Sequence, residues 1–317
     1  MKNKKSLQSR RHIDPIMPAV FRYRFLITVF LLATVLFVGG ASAEVSVDSQ
    51  DSLIHAVTTD NTIINITANF ELSENITIDK NITIMSDNSF DLTANNSNRL
   101  FYVTPSGNLT LGNGVTLTNG SAELGGAVYV DDGTFTMNGG TISGNNASGN
   151  GGGVYVNESG TFTMNGGNIF NNSGTFGGAV YVNNGGTFTM NGGNIFNNSG
   201  IFGGAVYVNN GSTFNMNGGT ISGNTTIVSH LQTSGGGVYV SSSTFNMNGG
   251  TISNNTATYD GGGVYVYSGT FTMTGDSLIS DNNAYSGGGV FVYFVYNSMF
   301  NMTGEPSQVT MQILAAG

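Results

Sequence analysis

The chain has 317 residues, of which 48 are glycine, 4 are proline and 9% are charged, and it contains neither cysteine nor tryptophan. This composition excludes a disulfide-bonded scaffold and differs from that of an average compact domain, so a periodic architecture is considered first. The formal net charge is −9, and no Lys or Arg follows Arg99. Because affinity for nucleic acid comes from clustered cations, a nucleic-acid partner is excluded.

An export signal is predicted at the amino terminus. Seven of the nine Lys and Arg residues precede an apolar run from Phe25 to Val38, and small residues then lead to Ala43. This order is typical of a secretory signal peptide, here residues 1–43, with an uncleaved membrane anchor as the alternative. The protein is therefore expected to be secreted or displayed at the cell surface.

From residue 125 onward, one sequence unit recurs. It begins Gly-Gly-Ala-Val-Tyr-Val at 125–130, continues Thr-Phe-Thr-Met-Asn-Gly-Gly at 134–140 and ends Thr-Ile-Ser-Gly-Asn at 141–145. Its first valine recurs at Val128, Val154, Val180, Val206, Val238, Val264 and Val290. These positions lie 26 residues apart, except for one step of 32 that places an insertion containing His230 in a loop between Thr225 and Ser234.

Apolar residues alternate within the unit, as is typical of β-strands, and no stretch of it shows helical periodicity with caps. One unit is too small to close a core alone and has to stack on its neighbours, with equivalent residues about 4.8 Å apart. The sequence therefore predicts a three-sided, right-handed parallel β-helix of about ten coils. Residues 44–124 would form degenerate first coils and an N-terminal cap, 125–303 the regular coils and 304–317 an uncapped tail.

Stacking turns each recurrent position into a column. The Phe135 and Met137 columns are expected to lie in the core. The asparagine three residues after the recurrent isoleucine is expected to form a hydrogen-bonded amide ladder at a corner. This asparagine recurs at Asn145, Asn172, Asn198, Asn224, Asn255 and Asn282.

A tyrosine column is the candidate binding surface. Its residues alternate with inward-facing valines and should point outward as a stripe of stacked rings; they are Tyr129, Tyr155, Tyr181, Tyr207, Tyr239 and Tyr265. Aromatic faces with a polar group suit contacts with sugars or proteins. Ligand binding is one interpretation of this column, and self-stacking that stiffens the sheet is the other.

Acidic residues give one candidate site for calcium. Asp131 and Asp132 should lie over Asn157 and Glu158 of the next coil, and three carboxylates could hold the ion. A solvated turn is the simpler interpretation, since later coils carry asparagine at these positions. No metal or cofactor is predicted otherwise.

An enzyme is not expected. The regular coils hold no Lys or Arg, and His230 stands alone, so no pairing of a base with an electrophile can be built. Fourteen Asn-x-Ser/Thr sequons occur. Composition alone predicts about nine, so the excess is weak evidence for glycosylation.

At Gly125-Gly126-Ala127-Val128 and Ile142-Ser143-Gly144-Asn145 the chain resembles the repeats of chlamydial-type polymorphic outer-membrane proteins. It is also similar to β-helical adhesin-like surface proteins of some methanogenic archaea, although Ile replaces Phe in the second motif. The resemblance implies non-catalytic adhesion at an outer membrane or cell envelope, to glycans or surface proteins of a host or neighbouring cell. A polysaccharide lyase or hydrolase and a purely structural envelope rod are the alternatives. Open strand edges at the predicted uncapped end would favour self-association.

Overall fold

The computed structural model describes residues 44–227, 232–293, 298–303 and 311–314. The predicted signal peptide at 1–43, His230, and residues 304–310 and 315–317 of the predicted tail lie outside the described residues. Strands dominate the described chain, and every pair of neighbouring strands is parallel. The predicted parallel β-solenoid is confirmed; its three-sided cross-section and its hand stay predictions.

Successive coils contribute strands to three long sheets. We name the first the Phe-Met sheet, after its core residues. It contains Glu44–Val47, Thr62–Ile66, Asn81–Met85, Asn108–Leu111, Thr134–Met137, Thr161–Met164, Thr187–Met190, Thr213–Met216, Thr244–Met247, Thr270–Thr274 and Met299–Thr303.

The other two long sheets are named in the same way. The Val-Tyr-Val sheet contains Ile76–Ile78, Phe101–Val103, Val128–Asp131, Val154–Asn157, Val180–Val182, Val206–Asn209, Val238–Ser241, Val264–Tyr267, Val290–Tyr293 and Met311–Leu314. The Ile sheet contains Phe70–Leu72, Phe90–Ala94, Val115–Thr118, Thr141–Ser143, Asn168–Phe170, Asn194–Phe196, Thr220–Ser222, Thr251–Ser253 and Leu278–Ser280. The strand at 311–314 lies in the predicted tail, which therefore adds a strand to the solenoid.

A fourth, short sheet lies between the Ile sheet and the Val-Tyr-Val sheet along the chain. It contains Ser121–Leu124, Asn146–Asn150, Ser173–Phe176, Ser199–Phe202 and Thr225–Thr226. The sequence did not predict this sheet. Its strands are rich in Gly, Ser and Asn and lack the alternation that identifies a strand.

The core is formed by columns in which each side chain stacks on the equivalent side chain of the next coil. Phe162 pairs with Phe188, and their ring centroids are 4.8 Å apart; Phe188 pairs with Phe214, and their ring centroids are 4.7 Å apart. The side chains of these phenylalanines and of Met164 and Met190 are fully buried. The predicted phenylalanine and methionine columns are therefore confirmed. Two coils even share an identical run of sequence, at 161–174 and 187–200.

The long step in the repeat leaves this register intact. Val206 pairs with Val238 across the step, just as Val180 pairs with Val206. The additional residues follow the last strand of the short sheet, Thr225–Thr226. An insertion at this corner is tolerated because the neighbouring sheets continue unchanged.

The first coils replace the aromatic core by aliphatic residues. Phe135 pairs with Leu109, which in turn pairs with Ile82, and all three side chains are fully buried. A short helix, Gln50–Ala56, packs against the first strands and buries Leu53 completely. The sequence analysis did not predict this helix. The helix was missed because it has only seven residues and its capping box uses serine at both positions, Ser49 and Ser52.

Glycine is required where the short sheet leads into the Val-Tyr-Val sheet. A Cβ on Gly152 would lie 2.2 Å from the carbonyl oxygen of Gly178, and one on Gly178 would lie 2.3 Å from that of Gly204. Backbone atoms cannot move away as a flexible side chain could. The Gly-Gly pair of the repeat therefore marks a corner at which successive coils touch through their main chains.

Candidate binding surfaces

The tyrosines form one continuous stack on the outer side of the Val-Tyr-Val sheet. Ring centroids are 5.0 Å apart between Tyr129 and Tyr155, and 5.2 Å apart from Tyr155 to Tyr181 and from Tyr181 to Tyr207. The stack begins at Tyr102 and continues through Tyr207, Tyr239, Tyr265 and Phe291. The alternation of residues along each strand places the rings opposite the buried valines.

The middle of this column is covered, which corrects the expectation of an open stripe. Tyr155, Tyr181 and Tyr207 are only 5%, 6% and 8% exposed. Phe176 lies edge-on to Tyr207 at 5.2 Å, and Phe202 lies edge-on to Tyr239 at 5.7 Å. Both phenylalanines come from the short sheet. The physical reason for the correction is this unpredicted sheet, which supplies a second apolar layer over the rings.

The phenol groups also find partners within the protein. Asn183 Nδ2 donates to the Tyr155 hydroxyl at 3.2 Å, and Asn209 Nδ2 donates to the Tyr181 hydroxyl at 3.1 Å. Asn183 directly follows its coil's strand, Asn209 is the last residue of its own, and both reach back to the preceding coil. Self-stacking, the second interpretation of the column, therefore describes its middle coils. Ligand binding by the six tyrosines stays a prediction.

Burial extends the pH range over which several phenols of this column stay neutral. It raises the pKa of Tyr129 to about 12, with smaller contributions from the negative charge of Asp131 and from neighbouring tyrosines. Burial likewise raises the pKa of Tyr207, Tyr239 and Tyr265. Removing water from around a phenolate disfavours its charge, so these side chains remain protonated at physiological pH.

Arg99 covers the amino-terminal part of the column. Its guanidinium carbon is 4.9 Å from the centroid of the Tyr129 ring, a cation–π contact. Burial lowers the pKa of Arg99, and the nearby phenols of Tyr129 and Tyr102 oppose that effect. At the same end, the Tyr102 hydroxyl donates to Asp131 Oδ2 at 2.6 Å. The charged groups here therefore support the stack.

The structure does not assemble the calcium candidate. Asp131 pairs with Asn157 as predicted, and the Asn157 amide donates to Asp131 Oδ1 at 3.3 Å and to Glu158 Oε1 at 3.5 Å. Asp132 and Glu158 both occupy a corner with a left-handed backbone, at φ 53°. Among the described residues, no group of three or more His, Cys, Asp or Glu side chains could hold a metal. The simpler interpretation, a turn, fits this geometry.

The predicted amide ladder at the corner after the Ile sheet is confirmed. The Asn198 backbone N–H and its Nδ2 both donate to Asn224 Oδ1 at 2.9 Å, and Nδ2 also donates to the Ile169 carbonyl at 3.0 Å. Asn198 and Asn224 are fully buried. Every polar atom of these side chains is used to hold coils together, which leaves nothing for a ligand.

A second amide ladder is exposed, and the sequence analysis missed it. It follows the Phe-Met strands and consists of Asn138, Asn165, Asn191, Asn217 and Asn248. From Asn165 onward, each Nδ2 donates to the Oδ1 of the asparagine in the preceding coil at 2.8–3.0 Å. The signal was present in the sequence, since asparagine directly follows the recurrent Phe-x-Met in these coils. We call this surface the outer amide ladder.

Comparison with known protein families, curated proteins and solved structures gives no match to the chain. The resemblance to polymorphic outer-membrane repeats therefore depends on the quoted motifs and on the β-solenoid fold. In the part of the chain that the structure describes, no helix has the length and apolar character needed to span a bilayer.

Proposed function

We propose that the protein is an exported, non-catalytic, adhesin-like β-solenoid that binds neutral glycans of a host or neighbouring cell through the outer amide ladder. The exposed, evenly repeated asparagines are the observation that carries this proposal. They form a polar column of five coils whose side chains remain at the surface, whereas the tyrosine column is covered over its middle coils.

The chemistry of an amide explains why the ladder can bind. Asn191 donates one hydrogen bond to Asn165 and accepts one from Asn217, at 2.8 and 2.9 Å. An amide has two N–H donors and two acceptor lone pairs, so each ladder residue keeps one of each for a ligand. These free groups recur at about 4.8 Å, the spacing of neighbouring strands. A chain of sugars offers hydroxyls that can both donate and accept.

Charge favours a neutral ligand. The regular coils contain Asp and Glu but no Lys or Arg. An acidic polysaccharide would be repelled and would find no cation to neutralise it. Threonines on the outer side of the same sheet, including Thr136, Thr163 and Thr189, extend the hydroxyl-bearing surface beside the ladder.

A purely structural envelope rod is the second candidate. Its support is the extent of internal stacking, since phenylalanine, tyrosine and buried asparagine columns all cross-link successive coils. Such a rod would bind no glycan specifically. The two candidates share the fold and differ in what the outer surface does.

Glycan-array binding with matched variants tests the proposal. Asn165→Thr, Asn191→Thr and Asn217→Thr together should abolish binding, because they remove three amides from the ladder. Thr is a tolerated replacement, since Thr274 continues this column and donates to Asn248 at 3.2 Å. The control combines Tyr155→Phe, Tyr181→Phe and Tyr207→Phe and should bind normally, because Phe291 already continues the tyrosine column.

Each other result identifies a different function. No binding by the unmodified protein would favour the rod. Loss of binding in the phenylalanine control alone would assign the ligand to the tyrosine column. New reducing ends released from polysaccharides would favour the enzyme. Circular dichroism of both variants shows whether the solenoid is retained.

A further inference from the structure

One asparagine column forms no ladder at all. It occupies the residue directly after the strands of the Ile sheet and consists of Asn119, Asn171, Asn197 and Asn254. All four are exposed and have left-handed backbones, with φ between 53° and 57°. We call this the corner asparagine column. Left-handed residues are normally Gly, Asn or Asp, and the other coils carry Gly144, Gly223 and Asp281 here.

The side-chain amides of this column are free. In the described part of the chain, none of the four makes a side-chain hydrogen bond. Asn171 and Asn197 are only one coil apart, since the residues before them, Phe170 and Phe196, are paired. In the outer amide ladder the same spacing produces a bond at every step. The amides of these four asparagines therefore stay unpaired at an exposed corner.

Each corner asparagine is also followed, two residues later, by a hydroxyl residue: Ser121, Ser173, Ser199 or Thr256. The left-handed corner accounts for the asparagine, and the buried amide ladder accounts for the middle residue in three of the coils. Neither requires the hydroxyl, since Asn146 and Asn283 occupy its place after Gly144 and Asp281, although Thr225 occupies it after Gly223. These four hydroxyls make no side-chain hydrogen bond in the described residues.

We propose that the corner asparagines carry N-linked glycans, forming a line of sugars along one corner of the solenoid. This inference depends on the export included in the proposed function. The donor would be a sugar attached to a lipid phosphate, acted on by a separate membrane transferase. Asn Nδ2 bonds to the sugar's anomeric carbon and gives up one proton, while the bond from that carbon to the phosphate oxygen breaks and the lipid phosphate leaves with the electron pair.

The fold separates these sites from another sequon in the same coils. Asn224-Thr225-Thr226 also matches the consensus. Asn224 is fully buried, however, and its Nδ2 donates to Ile195, Ser222 and Asn255 at 3.0, 3.1 and 2.9 Å. A sugar on this nitrogen would break the ladder and could not fit. The fold should therefore permit modification of the corner column and exclude modification of Asn224.

Glycopeptide mass spectrometry of the full-length gene product, purified from the cells that naturally make it, tests this inference. We expect sugar on peptides containing Asn119, Asn171, Asn197 and Asn254, and none on Asn224. A variant with Ser173→Ala and Ser199→Ala should lose all sugar at Asn171 and Asn197 and none at Asn119 or Asn254. It keeps both corner asparagines, so the fold is not at issue.

The amino-terminal residue distinguishes failure of this inference from failure of export. Unmodified corner asparagines on a chain that begins at Glu44 would contradict the proposed glycosylation and remain consistent with export. Unmodified asparagines on a chain that retains residues 1–43 would overturn both. Sugar on Asn224 to the same extent as on Asn197 would overturn the selection by the fold.

Discussion

The phenylalanine column and the tyrosine column are two aromatic stacks built on the same repeat. Ring centroids are 4.7 Å apart between Phe188 and Phe214, and 5.2 Å apart between Tyr181 and Tyr207. The phenylalanines lie inside the coils and are fully buried from every side. The tyrosines lie outside them and owe their burial to Phe176 and Phe202 of the short sheet. Stacking of the rings follows from the 26-residue period alone. Burial of the outer rings depends on the side chains that the short sheet contributes.

The largest effect is expected inside the phenylalanine column. Phe188→Ala removes a fully buried ring between Phe162 and Phe214 and leaves a cavity that the stacked coils cannot close. The free energy of unfolding, measured with denaturant, should fall by about 3–5 kcal/mol. Thr189→Ala, on the outer side of the same strand, should change it by about 0.5 kcal/mol or less. Equal losses in the two variants would contradict the inside-outside distinction.

Alkaline pH should destabilise the fold through the tyrosine column. An unfolded phenol has a pKa of about 10, and burial raises the pKa of Tyr129 to about 12. Between these values the unfolded chain loses protons that the folded chain keeps, so the unfolding free energy falls as pH rises. Below about pH 10 the column should contribute no pH dependence. Phenolate absorbance and circular dichroism, recorded together, check this; ionisation of the column before any unfolding would refute it.

Replacing the two phenylalanines that pack over the tyrosine column should expose the tyrosine rings. Phe176→Ser with Phe202→Ser should cost about 1–2 kcal/mol of unfolding free energy and increase quenching of tyrosine fluorescence by iodide. Tyrosine emission is readable because the chain has no tryptophan. Phe170→Ser with Phe196→Ser is the matched control, since this pair stacks at 4.8 Å on the Ile sheet and Ser222 continues its column. Quenching that rises equally in both would show that the cover is not specific.

The smallest effect is expected from a single phenol. Tyr181→Phe removes the acceptor of the bond from Asn209 Nδ2 at 3.1 Å and keeps the ring. The unfolding free energy should fall by about 0.5–1 kcal/mol. Asn209→Ser should produce a similar loss, because Ser241 already continues that position. A loss as large as that of Phe188→Ala would mean that the hydroxyl bonds, rather than ring packing, hold the outer column.

The sequence predicted what its periodicity encodes. The 26-residue step gave the register, so Phe162, Phe188 and Phe214 were correctly placed in one buried column. The buried asparagines were correctly interpreted because amides repeated at a corner can bond only to one another or to turn backbone. Both results follow from stacking, which depends on spacing and not on detailed geometry.

The covered tyrosines were not predicted, because a column's exposure depends on elements that the alternation does not reveal. Ser173–Phe176 and Ser199–Phe202 each begin with Ser-Gly and end in a phenylalanine, with no alternation of apolar and polar residues. The recurrence of Phe176 and Phe202 one coil apart, just before the Gly-Gly corner, was the available signal. The unpaired amides of the corner asparagines were not predicted, because they depend on a left-handed backbone. A recurrent asparagine in the sequence looks the same whether or not its amide joins a ladder.

The identical runs at 161–174 and 187–200 occupy neighbouring coils in the same register. A coil makes the same contacts with the coil after it as with the coil before it. Duplication or deletion of one unit would therefore leave matching contacts between the coils on either side. Length in this protein can therefore change in whole increments, each adding or removing about 4.8 Å along the stacking direction. The length of the solenoid, and with it the distance between its first and last coils, can therefore change without any substitution in the core.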